Sequence, residues 1–235
     1  MSLELYLGSM FSGKSSAVIA AIRRKAVIGI PILCITHVAD TRYAKNAIAS
    51  HNGESQPAVA VTELMPLLKD DSFRSSSYVI IEEANFFPDL KQFVITAVDV
   101  LQKNVLCVGL DGDYDRKPFG QILDLIPYCD NITKFKAFCS ICRDGTDACF
   151  TDRTSTFIVD QLVVGGSEKY QALCRPHYLE AMNRRLLLDQ ERMKDYLREN
   201  VFPATSDSLE YLNLILQHVP LNTCDVYIKD AYPLT

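Results

Sequence analysis

Short apolar runs alternate with amphipathic stretches through the first half of the chain. The runs are typical of buried strands and lie at residues 3–7, 30–36, 58–62, 78–81 and 105–110. Residues 15–27 and 90–101 have the length and apolar content of helices. This alternation predicts an α/β fold with a mostly parallel sheet. Cys34 and Cys107 fall inside predicted strands and are interpreted as core thiols.

The pattern changes after about Pro127. Residues 137–178 contain four cysteines, several turn residues and a Gly-Gly pair, which together predict a small, loop-rich unit. Beyond it, charged residues with apolar positions at helical intervals predict a helical tail. We therefore expect three parts, at residues 1–136, 137–180 and 181–235.

The charge and apolar content of the chain argue against a nucleic-acid-binding or membrane-spanning protein. The chain has 235 residues and a net charge of −5 without a block of Lys or Arg, which argues against nucleic acid as the main ligand. No apolar run reaches transmembrane length, and the first strand leaves no room for a signal peptide. A reducing, cytoplasmic location is expected, in which the eight cysteines are buried thiols or metal ligands.

Residues 8–15 read G-x-x-x-x-G-K-S, the pattern of a phosphate-binding loop. Gly8 and Gly13 allow the backbone to turn its N–H groups toward phosphate oxygens. Lys14 would reach the β- and γ-phosphates, and the Ser15 hydroxyl would bind Mg²⁺. The helix predicted after the loop would favour an anion at its N-terminus. The predicted phosphate contacts are Gly8, Ser9, Met10, Phe11, Ser12, Gly13, Lys14 and Ser15.

Two knuckles in the loop-rich unit have metal-ligand spacing. Cys139-Ser-Ile-Cys142 is followed, after thirty-one residues, by Cys174-Arg-Pro-His177. Each knuckle supplies two ligands to one tetrahedral ion, and thiolates with an imidazole favour zinc. Four protein ligands would close the site and make it structural. Four unrelated buried side chains, or a redox pair, are the alternatives.

An acid pair, Glu82-Glu83, follows the apolar run at residues 78–81. In a P-loop protein an acid at such a strand end helps to hold Mg²⁺, a role we assign to Glu82 together with Ser15. The second acid, Glu83, would act as a base on the attacking hydroxyl. The alternative is an ordinary strand end that meets solvent.

These motifs jointly resemble the type II thymidine kinases. The resemblance rests on residues 8–15, 40–43 (Asp-Thr-Arg-Tyr), 82–89, 109–120, the two knuckles and 163–170, and it covers about residues 1–180. It implies a P-loop domain that binds ATP and a zinc-bearing domain whose long loop, the lasso, closes over the nucleoside. The family usually has Asp-Glu where this chain has Glu82-Glu83, and Gln where it has Asn85.

The resemblance also implies site residues and partners. Glu83 matches the catalytic base, and Tyr114 matches the aromatic residue that stacks on thymine. Further ATP contacts are Asp40, Thr41, Arg42, Glu82 and Asn85. The other nucleoside contacts are Met10, Phe86, Leu110, Phe119, Thr151, Gln161, Leu162, Val163, Val164, Gly165 and Tyr170. The implied substrates are ATP with Mg²⁺ and thymidine or deoxyuridine, in a homotetramer for which dTTP is a candidate feedback inhibitor.

Two other functions are compatible with parts of this pattern. One is a P-loop ATPase with a zinc ribbon that acts on nucleic acid, which the acidic charge disfavours. The other is a non-catalytic homologue that binds nucleotide. Its only support is that Glu82 and Asn85 differ from the residues usual in the family. No membrane and no nucleic-acid partner are expected.

Overall fold

The computed structural model describes residues 1–40, 46–49, 53–154, 165–185 and 188. The chain divides into two compact units, Met1–Tyr178 and Leu179–Thr235. In the second unit the described residues, 179–185 and 188, are helical. The predicted helices farther along the tail lie outside the described residues.

The first unit contains many short strands and few long helices. The described strands are β1 (Ser2–Gly8), β2 (Ile32–His37), β3 (Ala47–Ala49), β4 (Ser55–Pro57), β5 (Val59–Val61), β6 (Tyr78–Ile81), β7 (Asn104–Gly109), β8 (Asn131–Phe135), β9 (Ala137–Phe138), β10 (Asp147–Ala148), β11 (Phe150–Arg153) and β12 (Tyr170–Leu173). The α-helices are α1 (Lys14–Val27), α2 (Asp71–Ser75) and α3 (Leu90–Ile95). Residues Met65–Lys69, Ala84–Phe86 and Ile122–Tyr128 form 3₁₀ turns.

Six strands form one parallel sheet in the order β5-β2-β6-β7-β1-β8. The predicted α/β fold with a mostly parallel sheet is therefore confirmed. Because all six strands run in one direction, their carboxyl ends meet at one edge of the sheet. The loops that follow β1, β2, β6 and β7 lie at this edge, where open parallel sheets bind ligands.

Apolar residues cover both faces of the sheet. Alternate residues of β1 (Leu3, Leu5 and Leu7) pack with Phe87 and Phe93 in one core. Val18 and Ile19 of α1 pack on the other face with Ile80, Leu106 and Val108. Burial on both faces explains why the central strands are almost continuously apolar in the sequence. Cys34 and Cys107 are buried in these cores as predicted, and burial raises the pKa of both thiols.

The helix predicted at residues 90–101 changes form along its length. It is α-helical over Leu90–Ile95 and widens to a π-turn over Thr96–Val100, where the Leu101 N–H donates to the Thr96 carbonyl oxygen (3.0 Å). The wider turn keeps Ala97 and Val98 buried. Such turns are rare and occur mostly as single turns inside α-helices, so the helical spacing of residues 90–101 does not predict one.

Two antiparallel ribbons build the cysteine-rich region. β9 pairs with β10, and β11 pairs with β12 with Arg153 opposite Tyr170. The Ser140 N–H donates to the Ala172 carbonyl oxygen (3.0 Å), which ties the ribbons together. No helix in the described part of the chain combines the length and apolar content that crossing a membrane requires.

Candidate active site

The loop between β1 and α1 has the backbone that the glycine pattern requires. Gly13 has φ +83°, a left-handed conformation that glycine adopts without steric cost. A Cβ on Gly8 would lie 2.4 Å from the Phe135 carbonyl oxygen, so only glycine fits where β1 passes β8. The Lys14 Nζ donates to the carbonyl oxygens of Gly8 (2.9 Å) and Ser9 (2.8 Å), which places the ammonium against the loop.

An acid from β6 reaches the end of this loop. The Ser15 hydroxyl donates to the Glu82 Oε1 at 2.5 Å, and Glu82 is buried. The contact joins residues 67 positions apart because β1 and β6 flank β7 and end at the same sheet edge. A hydroxyl and a carboxylate are hard oxygen donors, the type that Mg²⁺ prefers, so the pair fits the predicted magnesium site.

Glu83 has a different backbone from Glu82. Its φ of +52° and ψ of +40° are left-handed, which is uncommon for a residue with a side chain. The conformation ends β6 and separates the half-buried Glu83 from the buried Glu82. Such strain costs about 1–3 kcal/mol and concentrates at functional sites.

Asn85 packs deeper than the acid pair. Its side-chain Oδ1 accepts the Leu110 N–H at 3.1 Å, and its main chain packs against Gly120, where a Cβ would lie 2.1 Å from the Asn85 carbonyl oxygen. Asn85 thus links the turn after β6 to the segments after β7. Its predicted contact with ATP stays a prediction.

The predicted nucleoside contacts form small groups. The Met10 N–H donates to the Thr151 hydroxyl at 3.0 Å, and the rings of Phe86 and Phe119 meet edge to face with centroids 5.6 Å apart. Ser9 is also bound to this region, since its hydroxyl donates to the Ala148 carbonyl oxygen at 3.2 Å. The phosphate-binding loop therefore contacts the cysteine-rich region directly.

Tyr114 and Tyr170 are joined by a residue that the sequence analysis did not single out. Arg153 is only 3% exposed, and its guanidinium carbon lies 3.9 Å from the centroid of the Tyr114 ring. Its Nη2 donates to the Tyr170 hydroxyl at 3.4 Å. A buried cation between aromatic rings has no local sequence pattern, so only the fold reveals it.

The predicted lasso is described only at its ends. Thr154 is held beside the returning chain, because its N–H donates to the Lys169 carbonyl oxygen (2.9 Å). Gly165 and Gly166 precede a turn in which the Tyr170 N–H donates to the Gly166 carbonyl oxygen (3.0 Å). Gln161, Leu162, Val163 and Val164 lie outside the described residues, as do Thr41 and Arg42. Asp40 is described, and its N–H donates to the His37 carbonyl oxygen (2.9 Å).

The four predicted zinc ligands converge. The sulfur atoms of Cys139, Cys142 and Cys174 and a ring nitrogen of His177 all lie within 4.8 Å of one another. The Cys142 and Cys174 sulfur atoms are 3.8 Å apart, and the His177 Nδ1 is 3.2–3.5 Å from the three sulfur atoms. A tetrahedral zinc ion with Zn–S bonds of about 2.3 Å spaces its sulfur ligands about 3.8 Å apart, so the set fits zinc.

The pKa values of the Cys139 and Cys142 thiols are shifted in opposite directions. Burial raises the pKa of Cys139, but backbone N–H groups of Cys142, Cys174 and Ile141 outweigh it and lower the value to about 6. Burial and hydrogen bonds with its neighbours raise the pKa of Cys142 to about 11. A thiolate that is already stabilised by main-chain donors is a prepared metal ligand.

Comparison with known proteins decides the family. Residues 1–178 match the family model described as thymidine kinase. The chain belongs to the thymidine kinase family. It is 36% identical over 181 residues to thymidine kinase a of Arabidopsis thaliana, an alignment that covers 76% of this chain and 75% of the relative. This confirms the resemblance inferred from the motifs.

Other relatives of this thymidine kinase family member come from animals and viruses. The chain is 33% identical over 180 residues to the cytosolic thymidine kinase of Homo sapiens, covering 76% of this chain and 73% of that one. It is 34% identical over 184 residues to the thymidine kinase of Yaba monkey tumor virus, covering 77% and 96% respectively. The residues matched by the family model, 1–178, include the phosphate-binding loop, the acid pair and both predicted zinc knuckles.

Proposed function

We propose that this chain transfers the γ-phosphoryl group of ATP to the 5′-hydroxyl of thymidine or deoxyuridine. Family membership supports the reaction type. The observation that carries the proposal is the hydrogen bond from the Met10 N–H to the Thr151 hydroxyl (3.0 Å), because it makes the phosphate-binding loop continuous with the predicted nucleoside pocket. A phosphate donor and a nucleoside acceptor would thus meet at one sheet edge.

The phosphate-binding loop and the acid pair would have different roles in phosphoryl transfer. Main-chain N–H groups of residues 8–15 and the Lys14 ammonium would bind the triphosphate. Ser15 and Glu82 would hold Mg²⁺, which neutralises phosphate charge when bound. Glu83 would orient the 5′-hydroxyl and accept its proton. Its left-handed backbone supports this assignment, since it separates the two acids that follow β6.

The base pocket would set the choice of nucleoside. Tyr114 would stack on the base, and Met10, Leu110, Phe86, Phe119 and Thr151 would surround the ring and its methyl group. Main-chain groups of residues 161–165 would read the base edge. A methyl pocket of this kind is worth about 1–3 kcal/mol of discrimination.

We expect deoxycytidine to be a poor substrate. Groups that pair with the 3-NH and 4-carbonyl of thymine would be mispaired by the 4-amino group of cytosine, which leaves buried polar atoms unsatisfied. Measured kcat/KM values for thymidine, deoxyuridine and deoxycytidine test this. Similar kcat/KM values for thymidine and deoxycytidine would contradict the proposed reading of the base edge.

The rival functions receive no support from the comparisons. The named relatives are thymidine kinases, and the net charge of −5 disfavours a DNA-dependent ATPase. Thymidine phosphorylation with ATP and Mg²⁺, measured beside ATP hydrolysis with and without DNA, separates the three functions. Hydrolysis stimulated by DNA without thymidine phosphorylation would favour the ATPase, and neither activity would favour the non-catalytic homologue.

Several finer properties are part of the same proposal. We propose a homotetramer that is inhibited by dTTP and resides in the cytoplasm, where the human relative is placed by its name. We also propose the division into an ATP-binding domain (1–136), a zinc and lasso domain (137–180) and a C-terminal extension (181–235). Sizing chromatography with light scattering, and inhibition by dTTP, test the first two.

A further inference from the structure

Tyr178 directly follows His177, the last of the four predicted zinc ligands. Its side chain is fully buried, and its ring lies 5.0 Å from that of Phe150. The Tyr178 N–H donates to the carbonyl oxygen of Cys174, another zinc ligand, at 2.9 Å. The position of Tyr178 is therefore fixed by the same helical turn that carries two of the four ligands.

The Tyr178 hydroxyl reaches the loop that carries Tyr114. It donates to the Tyr114 main-chain carbonyl oxygen at 2.8 Å, although the two residues are 64 positions apart. The guanidinium carbon of Arg116 lies 4.9 Å from the centroid of the Tyr178 ring, a second contact with the same loop. Tyr178 thus holds this loop through a hydrogen bond and a cation–π contact.

The loop itself is short and internally bonded. The Asp113 Oδ1 accepts the N–H groups of Asp115 and Lys117, each at 2.9 Å, which closes a tight turn around Tyr114. Because two hydrogen bonds to one Asp113 oxygen hold the turn, we expect a shift at the Tyr114 carbonyl to shift its ring as well. The face of that ring is already set by Arg153 at 3.9 Å.

We propose that Tyr178 is a positioning residue that couples the zinc site to the nucleoside-stacking ring of Tyr114. The zinc ion would fix Cys174 and His177, these fix Tyr178, and the Tyr178 hydroxyl fixes the Tyr114 loop. The role in nucleoside binding rests on the proposed function. The coupling of zinc to the loop does not, because it concerns contacts that exist in this chain without substrate.

The test replaces Tyr178 by Phe in the full chain, which removes one hydroxyl and keeps the packed ring. We expect the KM for thymidine to rise about three- to tenfold, the range for a lost hydrogen bond, while the KM for ATP and the zinc content stay unchanged. Tyr78→Phe is the matched control. It removes a buried tyrosine's hydrogen bond to Glu4 (3.3 Å) at the amino end of β6, away from the site.

Hydrogen exchange gives a readout that does not depend on activity. Tyr178→Phe should speed amide exchange at Asp115 and Lys117, and Tyr78→Phe should not. Chelating zinc from the wild-type protein should speed the same amides, with little additional effect in Tyr178→Phe. Unchanged exchange in Tyr178→Phe, or a zinc effect of equal size in both proteins, would overturn the coupling.

The two proposals fail in different ways. If the wild-type protein does not phosphorylate thymidine, the proposed function is wrong, and the exchange measurements still decide whether Tyr178 holds the loop. If the wild type is active but Tyr178→Phe changes the KM values for thymidine and ATP equally, or loses zinc, Tyr178 has only a general structural role. In that case the positioning proposal is wrong and the function stands.

Discussion

Replacing each of the two acids after β6 by glutamine should impair different steps of the reaction. Glu82 is buried and accepts a 2.5 Å hydrogen bond from Ser15, whereas Glu83 is half-buried on a left-handed backbone. We expect Glu83→Gln to bind thymidine with a KM within about threefold of wild type while kcat falls about 10²–10⁴-fold, the range for a lost general base. That fall equals about 2.7–5.4 kcal/mol of transition-state stabilisation.

Glu82→Gln should instead weaken metal binding and the loop contact. A hydrogen bond to a charged group contributes about 1.5–3 kcal/mol and a neutral one about 0.5–1.5, so the Ser15 contact should lose about 1 kcal/mol. Because the carboxylate charge is lost, activity should recover partly at higher Mg²⁺. Glu82→Asp retracts the carboxylate by about one C–C bond, or 1.5 Å, which breaks the direct contact with Ser15 but keeps the charge. We expect it to retain or raise activity, since Asp is the usual family residue.

The assay is pre-steady-state phosphorylation of thymidine across a Mg²⁺ series. Glu63→Gln serves as the control, because it makes the same substitution at an exposed acid after β5. If Glu82→Gln loses turnover at every Mg²⁺ concentration while Glu83→Gln stays active, the assigned roles are reversed. If both variants behave like the control, neither acid takes part in catalysis.

Three further substitutions probe the loop, the turn and the sheet edge. Lys14→Ala should reduce kcat more than tenfold, a loss of transition-state stabilisation above about 1.4 kcal/mol, because the γ-phosphoryl group loses its positive partner. Single-turnover rates measure this effect, and a smaller loss argues against the assigned role of Lys14. Gly120→Ala should lower the free energy of unfolding by at least about 1–2 kcal/mol, because φ is +63° and the new Cβ would meet the Asn85 carbonyl oxygen. Urea denaturation measures this loss, and an unchanged midpoint would contradict the expected strain. Burial lowers the pKa of His37, so its folded pKa lies below the unfolded value of 6.5. Stability should therefore fall as the pH drops below about 6.5, and His37→Gln, followed by thermal melts from pH 7.5 to 5, should reduce that dependence.

Local patterns predicted the parts of this protein whose determinants lie close together in the chain. The strand at residues 78–81 coincides with β6, because an apolar run bounded by polar residues has few other ways to be buried. The zinc ligands were predicted because each knuckle places two donor atoms within one turn. The fold then had only to bring the two knuckles together to complete a set of four ligands. The small strands β3 and β4 and the edge strand β8 were not predicted, since short segments gain their structure from pairing and not from their own pattern.

The amino-acid sequence by itself determined the fold class, the phosphate-binding loop, the zinc set and the family. Each of these depends on residue type at fixed spacing, and backbone sterics or ligand chemistry restrict which residues serve. Only the tertiary structure decided that Glu82, predicted to share Mg²⁺ with Ser15, also accepts a direct hydrogen bond from it. It also decided that Arg153 lies between Tyr114 and Tyr170, and that the Tyr178 hydroxyl donates to the Tyr114 carbonyl oxygen. These contacts join residues 17 to 67 positions apart. Strand order and chain crossings bring such residues together, and no local pattern records that arrangement.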